Sequence, residues 1–525
     1  MSDNLHRTLP EVLRDAADRY PDRAAIVDRQ AAISFSVLKA GADRLAKSVI
    51  ASGLEPGERF VIWAPNIAEW VVAALAGQQV GGVLVPVNTR FKGEEAGDIV
   101  RRSGARLAFA MGEFLGVDYA ALLTAQPCPG LRRVVRLSGS GDEISLDAFA
   151  QLGDGVSDAE LQRRIEAVRP TDISDVLYTS GTTGAPKGAM TTHGQNIATF
   201  MEWSEAVGLT AEDRYLVVNP FFHSFGYKAG WLAALLRGAA IYPEAQFEAA
   251  RMLRRIEGQR ITLLPGPPTL FQSLLADPGL PDADLSSLRC AVTGAASVPV
   301  QLVRDMKQRL GFEEVYTAYG LTESSGVVSM CRSGDDLETI ANTCGRAMRG
   351  VEIRIAGGNG GAVPAGDAGE VWVRGFNVMQ GYLDDTAATA AAITPDGWLK
   401  TGDIGVLDER GYLKITDRLK DMYICGGFNC YPAEIENRLL DHPAVADVAV
   451  VGAPHERLGE VGHAFIVPAS GLRPEAEEVL TWARGHMANY KVPRRVTWME
   501  ELPRNASGKV QKFRLKEELA GPSDA

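Results

Sequence analysis

The sequence predicts an α/β protein: a large N-terminal domain of mixed βαβ sheets over residues 1–416, holding a small β subdomain over 350–416, and a small C-terminal α+β domain over 417–525. Three observations predict this. From residue 60 the chain runs FVIWAP, EWVVAALAGQQ and GVLVPV, a strand–helix–strand rhythm that implies parallel strands under covering helices. From Val351 the period shortens to two, with VEIRI and EVWVR joined through GGNGGAVPAGDAG, so antiparallel hairpins are expected. Finally, a short charged join near 417–421 reads as a hinge before a last unit of about 100 residues.

In chain order, residues 9–28 read as an amphipathic helix ending near Pro21 and then a short strand, and a second helix is expected over 36–52. The most apolar stretch, Val71 to Val87, is interrupted by Gln78, Gln79 and glycines, which favours a buried helix and strand over a membrane span. Residues 105–170 carry weaker signals, with a polar loop near 138–143. Further on come a strand at 215–219, the irregular PFFHSFGYKAGW, and an apolar helix near 230–237. Strands at 261–264 and 289–293 end in LPGPPT and GAASVP, and VYTAYGLTE ends at Glu323. Ligands of open α/β sheets collect at such carboxyl ends, so these loops predict one site. In the last unit a helix should follow Pro432, then strands at 446–451 and 463–467 and a helix at 474–487.

Composition is that of a globular protein, with 46% hydrophobic and 23% charged residues. A net charge of −12 argues against a general nucleic-acid or anionic-membrane surface. The six cysteines (128, 290, 331, 344, 425, 430) form no C-x-x-C and no metal-ligand spacing, so free thiols in a reducing compartment are expected. The N-terminal MSDNLHRTLPEVL lacks the basic-then-apolar pattern of a signal peptide, and the expected location is the cytoplasm.

The chemistry concentrates in VLYTSGTTGAPKG, Val176 to Gly188. An apolar lead-in breaks into Thr179, Ser180, Gly181, Thr182, Thr183 and Gly184, followed by Pro186 and Lys187. Glycines let successive N–H groups face one concavity, a nest that suits an anion, while the hydroxyls add donors. Lys187 supplies a mobile positive charge for a terminal phosphate. A solvent-exposed Gly/Thr turn is the plainer reading, but no acidic residue occurs between Asp175 and His193. The Walker pattern requires glycine directly before its lysine, and Pro186 stands there, so this is a phosphate loop of another kind.

With YTSGTTGAPKG, VTGAAS, YGLTES, GEVWVRG, WLKTGD, DRLKDMYICGGFN and LPRNASGK in that order, nearly the full length resembles the adenylate-forming superfamily. That group includes acyl-CoA synthetases, adenylation domains of peptide synthetases and beetle luciferases. The resemblance implies a carboxylate attacking the α-phosphate of ATP, then coenzyme A displacing AMP after the C-terminal domain rotates. It implies that Thr179 to Lys187 hold the β- and γ-phosphates, and that Glu323 binds Mg²⁺, with Ser180 assisting. Thr322 would contact the α-phosphate, and Tyr319 would stack on adenine between Ala318 and Gly320. Gly294, Ala295 and Ala296 would line the base, Asp403 would accept the ribose hydroxyls, and Arg418 would support ribose and phosphate. Lys509 resembles the catalytic lysine of the first step, Lys420 the pivot, and Gly426, Gly427 and Phe428 the loop that meets coenzyme A.

The acyl pocket is expected from the loop after residue 219, with Phe222, His223 as a gate, Gly226, Tyr227 and Lys228, and from Gly266 and Pro267. No acidic anchor for an α-ammonium appears in that loop, which argues against amino acids. NPFFHSFGYKAG, LPGPPT, NTCGR and RLKDMYICGGFNCYPAE resemble the actinobacterial ligases that thioesterify the propanoate of a bicyclic hydrindane-dione (HIP) from steroid-ring degradation. On that resemblance Tyr227 or Lys228 would hydrogen-bond the substrate ketones. A medium- or long-chain fatty acid ligase is the alternative. A luciferase-like or carrier-loading adenylating protein is the other class, although the sequence carries no carrier domain. Expected partners are the acid, ATP and coenzyme A, without nucleic acid or membrane span, and a homodimer stays open.

Overall fold

Two large sheets carry the N-terminal domain; the nine-stranded one is parallel in the middle and antiparallel at both edges, and the eight-stranded one is antiparallel at one edge only. In the computed structural model residues 1, 30, 180–185, 295–297, 420, 426–427, 457, 470–471, 473–474, 488, 505–508 and 521–525 fall outside the described residues. Among the described residues one sheet has eight strands. Gly381–Tyr382, Lys187–Thr192, Ile173–Thr179 and Val83–Pro86 lie on one side of Arg59–Trp63, and Leu107–Ala110, Arg133–Arg136 and Ile144–Ser145 on the other. The second sheet has nine strands, and its parallel centre sets Arg214–Val217, Leu263–Pro265, Cys290–Gly294 and Glu314–Tyr319 side by side. Their carboxyl ends therefore open on one edge, where the loops expected to form the site begin.

The helix Ala68–Gln78 is apolar almost all round, and nine of its residues are buried. Such a helix must be covered on every side. Its Trp70 meets Phe221 at 5.4 Å and Trp231 at 6.0 Å between ring centroids, which seats the 219–232 segment on the core. Residues 219–223 are irregular, as expected from the sequence, but the rest is helical: Ser224–Gly226 make a helical turn and Tyr227–Leu232 a buried π-helical turn. Tyr227 stacks on Trp231 within it, centroids 4.8 Å apart.

The period-two region folds into a four-stranded antiparallel sheet of Val351–Ala356, Gly369–Gly375, Leu399–Leu407 and Leu413–Arg418. Beyond it a small sheet centred on Gly459–Pro468 packs with the helices Pro432–Leu440 and Ala476–His486 around a separate core that includes Ile435, Leu439, Val450, Ile466 and Val479. The Asp417 carboxylate accepts the Ala433 N–H at 2.9 Å and so caps the first turn of the helix Pro432–Leu440. All six cysteines are free thiols. Among the described residues no helix is long and apolar enough to cross a membrane.

The strand Ile173–Thr179 is held from below by a buried charge. Asp175 is 0% exposed and Lys228 1%, with 2.9 Å between ammonium and carboxylate. Oδ1 also accepts from the Thr191 hydroxyl at 2.8 Å, and Oδ2 accepts from the Ser174 hydroxyl at 2.8 Å, the Asn196 amide at 2.5 Å and the Tyr227 hydroxyl at 3.3 Å. Gln78 donates to the Tyr227 oxygen at 2.8 Å. Burial pushes the Lys228 pKa below that of an ordinary lysine, against the pull of Asp175. This corrects the expectation that Tyr227 or Lys228 reaches substrate ketones: an interior carboxylate has to be neutralised and hydrogen-bonded, and these two side chains do that work.

A second buried titratable group lies at the start of the helix His193–Ala206, which a Thr192/Gln195 capping box opens. His193 is fully buried, and its Nδ1 accepts the Leu9 N–H at 3.3 Å. Burial holds its pKa down at about 4. A proton on Nδ1 would confront that N–H, so the neutral ring is the folded form.

Two outcomes follow from these buried groups. The folded His193 pKa is depressed below the unfolded value, so its contribution is complete above about pH 6.5 and fades as pH falls toward 4, to a total of about 3 kcal/mol. His193→Asn, whose Oδ1 can accept the same N–H, should flatten the loss of stability between pH 7 and 5 in urea titrations, and an unchanged slope refutes the assignment. Lys228→Met strands the Asp175 charge and should cost about 3–5 kcal/mol, while adding Asp175→Asn should recover most of it. Equal denaturation midpoints for Lys228→Met and wild type would show that the pair does not hold this layer.

Candidate active site

The phosphate-loop strand and its return strand pair antiparallel, with Thr179 opposite Lys187. The Thr179 hydroxyl lies at the tip of that hairpin, 3.4 Å from Glu323 Oε1. Glu323 belongs to the short turn Thr322–Ser324 beyond the strand Glu314–Tyr319 of the other sheet, so the two sheets meet here through their strand ends. The turn is held rigidly. Leu321 N–H donates to the Ser324 hydroxyl at 3.0 Å, Ser325 donates to the Asn377 carbonyl at 2.8 Å, and the buried Asn377 amide donates back to the Val327 carbonyl at 2.8 Å. The Met379 N–H donates to the Glu323 carbonyl at 2.9 Å.

Tyr382 completes the cluster. Its hydroxyl donates to Glu323 Oε1 at 3.0 Å, and the Lys187 ammonium stands 5.3 Å from its ring centroid. Burial, and then the neighbouring Glu323, raise the Tyr382 pKa far above that of a free phenol, so it stays a donor. No sequence signal singled out Tyr382 or Asn377, because neither sits in a glycine-rich or charged run and both act on residues distant in the chain.

A second contact joins the large domain to the four-stranded sheet. The Tyr319 hydroxyl donates to Asp403 Oδ2 at 2.6 Å, and Asp403 is buried in the strand Leu399–Leu407. Gly294 pairs with Ala318 across two parallel strands, and a Cβ on Gly294 would stand 2.6 Å from the Ala318 carbonyl oxygen. Gly320 and Thr322 continue the same edge past Tyr319. Arg418 ends the strand Leu413–Arg418, and its backbone registers with Asp403.

The expected acyl wall is built by asparagines. The Asn66 amide donates to the Val217 and Asn219 carbonyls at 3.1 and 2.9 Å while its oxygen accepts the Phe221 N–H at 2.8 Å. The Asn219 amide donates to the Pro265 carbonyl at 3.0 Å, bringing the loop with Phe222 and His223 against Gly266 and Pro267. Gly226 is required where it stands, since a Cβ would strike the Asn219 carbonyl oxygen. His223 is exposed, and its Nδ1 accepts the Phe225 N–H at 3.2 Å.

Several expected site residues lie outside the described residues: Ser180, Gly181, Thr182, Thr183, Gly184, Ala295, Ala296, Lys420, Gly426 and Gly427. Phe428 opens the short strand Phe428–Cys430, and Lys509 is exposed in the C-terminal domain beside Val510, which bridges to Arg504. Among the described residues no cluster of three His, Cys, Asp or Glu side chains can hold a metal. The geometry instead suits a metal that arrives with phosphate oxygens and takes one protein carboxylate, the usual habit of Mg²⁺.

The chain matches the AMP-binding enzyme family over residues 13–383 and the AMP-binding enzyme C-terminal domain over residues 434–509. A Mycobacterium tuberculosis protein named as a methyl-dioxo-octahydroindenyl propanoyl:CoA ligase is 50% identical over 511 residues, covering 97% of this chain and 99% of that one. A Rhodococcus jostii protein of the same name is 46% identical and covers 97% of this chain and 98% of its own. The crystal structure of ATP-bound MatB from Rhodopseudomonas palustris superposes with a TM-score of 0.85 at 29% identity, over 98% of this chain and 99% of that one. The chain belongs to the AMP-binding enzyme family, among its acyl-CoA synthetases.

Proposed function

We propose that the protein is an ATP-dependent acyl-CoA ligase acting on the propanoate side chain of a bicyclic hydrindane-dione, the HIP of steroid-ring degradation. The observation that carries the reaction class is the meeting of Thr179 with Glu323 at 3.4 Å beside the Tyr319–Asp403 contact at 2.6 Å. It sets phosphate-binding and nucleoside-binding chemistry on one edge. The substrate rests on the 50% and 46% identity to ligases named for that acid.

In this reading Thr179, Lys187 and the loop between them hold the β- and γ-phosphates, and Glu323 would hold the Mg²⁺ that accompanies them, which would supply charge neutralisation there. Tyr319 lies against adenine with Gly294, Ala318 and Gly320. Asp403, which holds the Tyr319 hydroxyl at this edge, accepts the ribose hydroxyls. Arg418 supports the ribose and phosphate, and Thr322 contacts the α-phosphate. A carboxylate oxygen of the acid attacks the α-phosphorus, the P–O bond to the β-phosphate breaks, and pyrophosphate leaves. Lys509 bridges the developing charge in that step. After the C-terminal domain turns about Lys420, the thiolate of coenzyme A, entering along Gly426, Gly427 and Phe428, attacks the acyl carbonyl carbon; the C–S bond forms, the C–O bond to the phosphate breaks, and AMP departs. His223 gates the acyl cleft beside Phe222, Gly226, Gly266 and Pro267. Six free thiols support a reducing compartment, the cytoplasm.

AMP release should be measured with and without coenzyme A over a panel of bicyclic propanoates, straight-chain acids and aryl acids. The ring-bearing acid should lead in kcat/KM, and preference for straight chains overturns the substrate while leaving the class intact. Lys509→Ala should lose acyl-adenylate formation by roughly 10²–10³-fold and keep thioester formation from pre-made adenylate. Equal loss of both half-reactions refutes its role.

A further inference from the structure

Lys187 and Glu323 are opposite charges that face the same edge. Glu323 meets the Thr179 and Tyr382 hydroxyls and Lys187 stands against the Tyr382 ring, and among the described residues neither charge forms an ion pair. Two such groups in a half-buried cleft attract each other strongly, and a direct pair would occupy both before a nucleotide arrived. What stands between them is Tyr382.

Its place is set by strand pairing. Tyr382 lies directly opposite Ala189 in the antiparallel edge of the eight-stranded sheet. Residues two apart on a strand share a face, so Lys187 and Ala189 point the same way and Tyr382 is the diagonal neighbour of Lys187. The backbone is clamped on both sides: Leu383 N–H donates to the Gly188 carbonyl at 2.8 Å, and Tyr382 N–H donates to the Thr389 hydroxyl at 2.9 Å. The ring face thus meets the Lys187 ammonium at 5.3 Å, while the hydroxyl at its far end holds Glu323 Oε1 at 3.0 Å. Glu323 Oε1 also faces Thr179, which leaves Oε2 without a hydrogen bond among the described residues.

We propose that Tyr382 is a positioning residue that keeps the cation and the anion of the nucleotide site apart, each held by a contact weak enough to exchange for ATP and its metal. The inference rests on the ligase reading above. The cation–π contact fixes the ammonium without neutralising it, and the phenol orients one carboxylate oxygen while the other stays open for the metal. Removing only the hydroxyl should therefore affect the metal, and removing the ring should let Lys187 collapse onto Glu323.

Calorimetric titration of ATP into the full chain, in EDTA and in MgCl₂, separates these effects. Tyr382→Phe should bind metal-free ATP within about twofold of wild type but lose roughly five- to tenfold of the Mg²⁺ enhancement. Tyr382→Leu should weaken metal-free ATP by about tenfold, and Glu323→Gln in that background should restore it, because the neutral amide no longer captures Lys187. Where Tyr382→Leu does not fold, Tyr382→Met serves as the ringless variant. A folded ringless variant with wild-type metal-free affinity, or a double variant as weak as the single, overturns the proposal, because a merely structural role shifts both titrations by the same factor. Wild-type protein that takes up no ATP under either condition overturns the ligase reading itself, and the spacer role with it.

Discussion

A carboxylate sealed from water under the strand Ile173–Thr179 is the constraint on which the rest of the candidate site depends. Asp175 has no exposed surface, so each of its oxygens must find protein partners. Meeting that demand commits Lys228 from the π-helical turn, Thr191 from the neighbouring strand, Asn196 from the following helix and Ser174 and Tyr227 besides. The phosphate strand, its return strand, the helix behind them and the segment leading out of the acyl loop become one body. A shift of any of them would leave a buried charge unsatisfied.

From that rigid base the strand tip reaches the other sheet. Thr179, Glu323 and Tyr382 come from three separate stretches, and the Asn377 clamp on the 321–326 turn keeps the carboxylate in reach. The Tyr319–Asp403 hydrogen bond does the same for the four-stranded sheet. The charges at that edge are ordered as well: Lys187 stands against the Tyr382 ring and Glu323 accepts its hydroxyl, and among the described residues the two are not paired with each other. Asp417, on the last strand of the four-stranded sheet, caps the helix Pro432–Leu440.

Much of this was legible in the chain. Local patterns specified the βαβ rhythm near 60–87, the hairpins after Val351 and the helix after Pro432, because side-chain periodicity reports which face is buried. The helix Gly93–Ser103 was missed despite its amphipathic pattern, and the segment around Tyr227 was read as irregular because glycine and aromatic residues disguise a π-helical turn. The polar character of Lys228 was noticed and its direction mistaken. A lone lysine in an apolar run does not reveal that its counter-ion lies on a strand far upstream.

By itself the sequence determined the fold class, the order of the strand-end loops, and the glycine, hydroxyl and lysine content that suits a phosphate, since these depend on residues near one another along the chain. Only the tertiary structure decided which side chains meet. Sheet register set Tyr382 beside Lys187, strand ends from two sheets brought Thr179 to Glu323, and interior burial assigned Lys228 to Asp175 and not to a ligand. The reason is physical: periodicity encodes a face, whereas a contact between faces is settled by packing and by the need to satisfy every buried charge.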